Sequence, residues 1–218
     1  MILAAQQIEQ AYRQGDIVID PWDETQLQAA TYDLRVGAQG ATTSTKKLVD
    51  IAGQGFMTLT PGDFGVVTVF ETIKLSPRYA ARFGLRSKYA RKGLIATTGP
   101  QIDPGFHGRL IIGLTNLTPK SVSIPYKDDL ISVEFHRLEE ATIKPYSGPY
   151  QNRFELGPEE IEFITESEGM ALSEFIASMR SLSANVGQLA SEVKTLRWLI
   201  PLIVGVGITI VATIVALK

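Results

Sequence analysis

Residues 101–114 read QIDPGFHGRLIIGL. Asp103-Pro104-Gly105 is turn chemistry, because an Asp side chain bonds to nearby backbone and Pro presets φ. The apolar run Arg109–Leu114 behind it reads as a strand. Similar short β-type runs lie at Ile17–Ile19, Thr31–Val36, Phe64–Phe70, Ser121–Ile124 and Leu130–Arg137, with turn residues between them. Strands at this spacing, without long helices in between, predict an all-β sandwich, jelly roll or barrel. Helical spacing is confined to Met1–Gln14, with Ile2, Ile8 and Tyr12 on one face and Gly15 as the stop, and to a short helix over Ser87–Lys92 after Tyr79–Leu85.

Two segments in this region carry chemistry. A carboxylate held in a rigid turn, as Asp103 is, can serve as a general base for water, although the same tripeptide is also an ordinary turn. Residues 82–92 read RFGLRSKYARK, with cations at Arg82, Arg86, Lys88, Arg91 and Lys92 and no carboxylate. Arg86-Ser87 would open the short helix, where free N–H groups and Arg favour an anion. A solvated basic face and a surface for anionic lipid are the competing readings.

The composition excludes several classes. The chain has 218 residues, 21 Lys+Arg and 23 Asp+Glu, a net charge of −2 that argues against wrapping nucleic acid. It has no cysteine, so disulfides, thiolate metal sites and Cys nucleophiles are ruled out, and with two histidines a His-rich metal site is too. Asn116-Leu117-Thr118 matches a glycosylation acceptor, although Pro119 follows it.

The C-terminal part differs in character. Leu172, Phe175, Met179, Leu182, Val186, Leu189, Val193 and Leu196 alternate at spacings of three and four. This is a heptad repeat and predicts a coiled coil; a single amphipathic helix packed on the globular domain is the alternative. Residues 198–217 read WLIPLIVGVGITIVATIVAL, twenty residues without a charge, with Pro201 in the first turn. At helical rise such a run matches the hydrocarbon core of a bilayer, about 30 Å. The expectation is a transmembrane tail anchor, with the lipid membrane as partner and the globular domain cytoplasmic. The predicted organisation is a β domain over 1–165, a coiled-coil stalk over 166–197 and a transmembrane helix over 198–217.

Several ordered blocks resemble one family. Ile17-Val18-Ile19-Asp20-Pro21, Gln26–Arg35, Arg86-Ser87-Lys88-Tyr89-Ala90-Arg91-Lys92-Gly93-Leu94 and Ile102-Asp103-Pro104-Gly105-Phe106 with Gly108 resemble the dCTP deaminase branch of the dCTP deaminase/dUTPase superfamily. The resemblance covers residues 1 to about 154. It implies a mainly β, distorted jelly-roll (dUTPase-like) fold, a homotrimer with sites between subunits, and a dCTP- or dUTP-type nucleotide as ligand. It implies Mg²⁺ carried by the triphosphate, with no protein metal site. It assigns Asp103 as the catalytic residue. It assigns nucleotide binding to Arg86, Ser87, Lys88, Arg91, Asp103, Phe106, Tyr146 and Gln151.

This chain departs from the family at telling places. The family's deaminases carry a proton-shuttling glutamate ten residues after the motif aspartate, and here that residue is Gly113. The usual R-S-S reads Arg86-Ser87-Lys88, and the usual K-Y-x-[GN]-Q reads Pro149-Tyr150-Gln151-Asn152-Arg153. Glycine carries no proton, so deamination would need another carboxylate, such as Glu134. The retained residues suit dNTP diphosphatase chemistry better than deamination. They suit equally an inactive relative that acts as a nucleotide sensor or membrane scaffold.

Overall fold

The computed structural model describes residues 1–166 and 172–216, with the side chains of 172–177, 198, 202–204, 206 and 208–216 outside that description. Two compact units divide the chain, Met1–Ser173 and Glu174–Lys218. The first contains α1 (Ala5–Arg13), β1 (Ile17–Asp20), β2 (Tyr32–Thr42), β3 (Leu48–Asp50), α2 (Ile51–Gln54), β4 (Phe56–Leu59), β5 (Phe64–Val69), β6 (Thr72–Leu75), β7 (Tyr79–Leu85), α3 (Ser87–Ala90), β8 (Leu94–Ala96), β9 (Gln101–Ile102), β10 (His107–Gly108), β11 (Ile111–Asn116), β12 (Val122–Pro125), β13 (Asp129–Arg137) and α4 (Pro158–Thr165). α5 (Leu172–Ala216) follows.

The mainly β expectation holds. The large sheet runs β8-β11-β5-β2-β13-β7-β9, with β3 added on β2. A three-stranded sheet runs β1-β6-β10, and β12 pairs with β4. β2 is the hinge of the large sheet. Its first half pairs with β13 through Tyr32–Arg35, and its second half pairs with β5 and β3 through Gln39–Thr42. The change of partner falls after Arg35, since Val36 already lies opposite Val69 of β5, and the register with β5 shifts between Val36 and Gly40. A Cβ on Gly37 would lie 2.5 Å from the Val69 carbonyl oxygen, so only glycine lets the strand pass there. The predicted strand stops at Val36 because these glycines read as turn signals.

Alternation along the strands fills one core. Tyr32, Leu34, Val67, Val69, Ile112, Leu114, Ile131, Val133 and Phe135 are all buried. α1 adds Ile8 and Ala11 to the buried set, and Tyr12 stacks on Trp22 at 4.1 Å. Ile2 lies outside the helix and bridges to His136, contrary to the helical spacing expected for it. Asn116 is buried, its Nδ2 donating to the carbonyls of Leu59 and Lys120, which removes it as a glycosylation acceptor.

α4 was not expected. Pro158 opens it, and Glu160 closes a capping turn by accepting from the Gly157 N–H at 2.8 Å. Its Ile164 is fully buried in a small cluster with Ala41, Val66 and Leu156. Phe163 meets Phe64 edge-to-face at 5.9 Å.

The second unit corrects the membrane expectation. No helix among the described residues is long and apolar enough to cross a membrane. The helix does not start at Trp198: it is continuous from Leu172, so Pro201 lies in its interior, and Arg180, Glu192, Lys194 and Arg197 lie along it. Most side chains of 198–217 lie outside the described residues. The tail anchor, the lipid partner and the assignment of a cytoplasmic face to the domain are withdrawn. Along the described part, Met179, Leu182, Val186, Leu189, Val193 and Leu196 are all exposed.

Candidate functional site

The turn at 103–106 is built as its residues dictate. The Phe106 N–H donates to the Asp103 carbonyl at 3.1 Å, and Gly105 takes φ +85°. A Cβ on Gly105 would also meet the Pro145 Cβ at 2.6 Å, so this position needs glycine twice over. Residues 145–153 then strap the turn down. The Tyr146 N–H donates to the Pro104 carbonyl at 2.8 Å, and the Asn152 N–H to the His107 carbonyl at 2.7 Å. Gln151 uses both ends of its amide: Oε1 accepts from the His107 N–H at 3.0 Å, and Nε2 donates to the Gly105 carbonyl at 3.0 Å.

This turn forms one wall of a cleft of about 480 Å³. Asp103, Phe106, Tyr146 and Tyr150 line it on one side, and Phe64, Val66, Ile111 and Gly113 of β5 and β11 on another. Thr97, Thr98, Gly99, Gln101 and Ile102 contribute a rim, and Glu160 of α4 reaches in as well. Apolar walls with a few polar groups are the usual make-up of a small-molecule site. Phe106 is buried with its ring 5.8 Å from that of Tyr146. Asp103 is exposed, and its carboxylate has no hydrogen-bond or ion-pair partner among the described residues.

Gly113 sits on the cleft wall without a side chain. A Cβ there would lie 2.6 Å from Thr97 Oγ1 and 3.2 Å from Thr98 Oγ1, and the Gly113 N–H donates to Thr98 Oγ1 at 2.6 Å. Threonine hydroxyls thus occupy the space where a longer residue would begin. Glu134 does not replace it. It lies on β13, bonds to His136 Nε2 at 3.0 Å and does not line the cleft.

The basic segment is placed apart from this cleft. None of Arg86, Ser87, Lys88 and Arg91 lines it. Arg86 turns inward: Nη1 is 2.6 Å from Oδ2 of Asp33, a side chain that is 1 % exposed. Asp33 Oδ1 accepts from Ser132 Oγ at 2.5 Å. Lys88 pairs with Asp128 at 2.7 Å, and the Tyr89 hydroxyl donates to the same carboxylate. Burial raises the Asp128 pKa, but the bonds from Lys88 and Tyr89 outweigh it and hold the carboxyl below its usual value. Burial pushes the Tyr89 hydroxyl well up, and Asp128 adds to the effect. Ser87 opens α3, but that helix spans only Ser87–Ala90. One turn aligns too few peptide dipoles to make the anion site expected of it.

Of the residues assigned by resemblance, the structure therefore brings Asp103, Phe106 and Tyr146 together. Gln151 is a brace for the turn, its amide already committed on both sides. Arg109 and Glu160 line the cleft but were not foreseen. Arg109 lies just ahead of β11, an even number of residues before Ile111 and Gly113, so alternation carried back from Gly113 would have found it. Its Nη1 donates to the Phe154 carbonyl at 3.3 Å, while its buried Nε has no partner. Glu160 Oε1 accepts from Arg153 Nη1 at 2.6 Å. Among the described residues no three His, Asp or Glu side chains gather to hold a metal ion.

Residues 2–138 match the family described as dCTP deaminase-like. The dCTP deaminase of Thermococcus kodakarensis is 37 % identical over 136 residues, spanning 62 % of this chain and 86 % of that protein. The dUMP-forming dCTP deaminase of Aquifex aeolicus is 24 % identical over 176 residues, spanning 76 % of this chain and 98 % of that protein. The crystal structure of 2′-deoxycytidine 5′-triphosphate deaminase from Agrobacterium tumefaciens superposes with a TM-score of 0.52 at 19 % identity. That match covers 62 % of this chain and 47 % of that chain, and it speaks for the fold alone. The family match ends at residue 138, before the strap at 145–153 and before α4, whereas the alignment with the Aquifex aeolicus enzyme is long enough to take in both. Fold, motif order and sequence agree that this chain belongs to the dCTP deaminase-like family.

Proposed function

We propose that the cleft binds a pyrimidine deoxyribonucleoside triphosphate and that the protein hydrolyses it at the α-phosphate rather than deaminating the base. The observation that carries this reading is the pairing of an unpartnered Asp103 carboxylate with a side-chain-free Gly113 in one cleft. An acceptor-only carboxylate at the mouth can take a proton from water. The resulting hydroxide attacks the α-phosphorus, the bond to the bridging oxygen breaks, and pyrophosphate leaves with that oxygen. A nucleoside monophosphate remains, and the proton on Asp103 returns to solvent. Deamination needs a group that carries protons to the base, and Gly113 has none to offer.

Phe106 and Tyr146 supply apolar surface for the sugar and base. Mg²⁺ riding on the triphosphate would screen its charge, and the chain's own part is to place Asp103. Arg109 is the cation that lines this cleft, and because Arg86, Ser87, Lys88 and Arg91 lie outside it, any further phosphate-binding cations come from elsewhere. A second copy of the chain can supply them, which is the shared-site trimer that the resemblance implies. The engagement of Arg86 with Asp33 and of Lys88 with Asp128 favours a second reading, a relative that binds nucleotide without turnover.

Asp103→Asn tests the assignment. The variant should keep the wild-type melting temperature, since the carboxylate makes no bond that the fold needs, and should lose at least about 10²-fold in dUTP or dCTP hydrolysis. Unchanged turnover would remove Asp103 from the mechanism.

A further inference from the structure

The charges on the cleft wall do not suit a triphosphate until Arg153 is counted. Among the described residues, the charged side chains that line the cleft are Asp103, Arg109 and Glu160. Two of these are carboxylates facing a ligand with several negative charges, and like charges at close range weaken binding. Asp103 stands in water, but the Glu160 side chain is 11 % exposed, so solvent screens it far less. The compensation comes from behind the wall. Arg153 does not line the cleft, yet its Nη1 lies 2.6 Å from Glu160 Oε1. Glu160 Oε2 accepts from the Gly157 N–H at 2.8 Å, so both carboxylate oxygens are engaged away from the ligand. Glu159 also approaches Arg153, at 4.0 Å, but it is largely exposed and competes weakly.

Arg109 is kept free by the same arrangement. Its backbone N–H donates to the Arg153 carbonyl at 2.8 Å, so the two arginines are neighbours on adjoining segments. The Arg109 guanidinium has no carboxylate partner among the described residues. Its Nη1 donates only to the Phe154 carbonyl, and its Nε is buried without an acceptor. A half-buried cation left this way has capacity for an anion. From this we infer that Arg153 is a positioning residue for the nucleotide. It holds and neutralises Glu160, so that this carboxylate neither repels the phosphates nor pairs with Arg109. The inference rests on the reading of the cleft as a triphosphate site. It gives a use to the position where the family pattern has an uncharged glutamine. The strap itself does not need the Arg153 side chain, because the backbone bonds of Tyr146 and Asn152 and the Gln151 amide hold it to the turn.

Calorimetric titration of the full-length protein tests this. The ligands are the α,β-imido analogue of dUTP, which resists hydrolysis, and dUMP, which carries less phosphate charge, both with Mg²⁺. Arg153→Gln should weaken binding of the triphosphate analogue by about 10-fold or more and that of dUMP by clearly less. Arg153→Lys, which keeps the charge, should restore part of the affinity. Combining Arg153→Gln with Glu160→Gln should recover most of the loss, because the carboxylate that needed neutralising is gone. Unchanged affinity in Arg153→Gln would overturn the inference. So would equal losses for both ligands, or a double variant no tighter than Arg153→Gln, since either result means that the side chain acts by shaping the strap. Wild-type protein that binds neither ligand removes the reading of the cleft itself and this inference with it. Circular dichroism of each variant shows that the fold is intact, so weak binding cannot be put down to unfolding.

Discussion

Arg86 is the residue on which the resemblance and the structure disagree most usefully, and its truncation separates them. The family pattern offers it to a phosphate. The structure instead sets its guanidinium 2.6 Å from Asp33, a carboxylate with 1 % side-chain exposure. Arg86→Ala leaves Asp33 in the interior with Ser132 as its remaining polar partner. Removing one partner of a buried ion pair costs about 3–5 kcal/mol. Arg86 is itself 34 % exposed, so water reaches the pair and the lower end applies. A loss of about 3 kcal/mol corresponds to a fall in Tm of about 6–12 °C for a chain of this size. Thermal unfolding followed by circular dichroism reads it directly. Adding Asp33→Asn should recover part of the loss, because the group left behind no longer carries charge. A Tm within about 2 °C of wild type, together with weakened nucleotide binding, would refute the reasoning and return Arg86 to the phosphate.

Two further outcomes follow from named contacts. Asp128 is held below its ordinary pKa of 3.8, so its contribution to stability is fully present above that value and is lost as pH falls through the lower folded value. Urea unfolding from pH 6 to pH 2 should show a steeper acid loss in the wild type than in Asp128→Asn; equal slopes would mean that the bonds from Lys88 and Tyr89 do not favour the charged form. Glu160→Gln weakens the contact with Arg153 and should speed amide hydrogen exchange across α4 (Pro158–Thr165) while leaving β2 and β5 unchanged. Unaltered exchange in α4 would show that Ile164 and Phe163 alone hold it in place.

Much of the fold was legible because its signals are local. Asp-Pro-Gly followed by an apolar run reads as a turn and a strand, and β5 and β13 start and end within a residue of where their alternation predicts. The large misreadings have physical causes. Gly37 and Gly40 look like the end of a strand, yet they serve the close approach that lets β2 bend and carry on. The run after Trp198 reads as a span because it carries no charge over twenty residues, yet no helix among the described residues is long and apolar enough to cross a membrane. α4 is short, and its stability comes from Ile164 and Phe163 meeting β5 and β2, contacts that the local pattern does not announce.

The site was half legible. Asp103, Phe106 and Tyr146 lie together because the strap at 145–153 is stitched to the turn by backbone bonds, and the motif order pointed there. The pairing of Arg86, at the junction of β7 and α3, with Asp33 of β2 joins residues far apart in the chain, and no spacing rule shows it. Glu160 reaches the cleft only because α4 folds back over the sheet. Its one sequence signal was the Gly157-Pro158 start with an acid in the first turn, a capping pattern rather than a catalytic one.

The most direct test of the central claim is product analysis on the full-length protein. It is incubated with dCTP and with dUTP in the presence of Mg²⁺, and nucleotides, pyrophosphate and ammonia are quantified separately. Hydrolysis at the α-phosphate predicts monophosphate and pyrophosphate in equal amounts with no ammonia. Ammonia release with dUTP accumulating from dCTP would contradict it, and would mean that a group other than the residue at position 113 moves the proton.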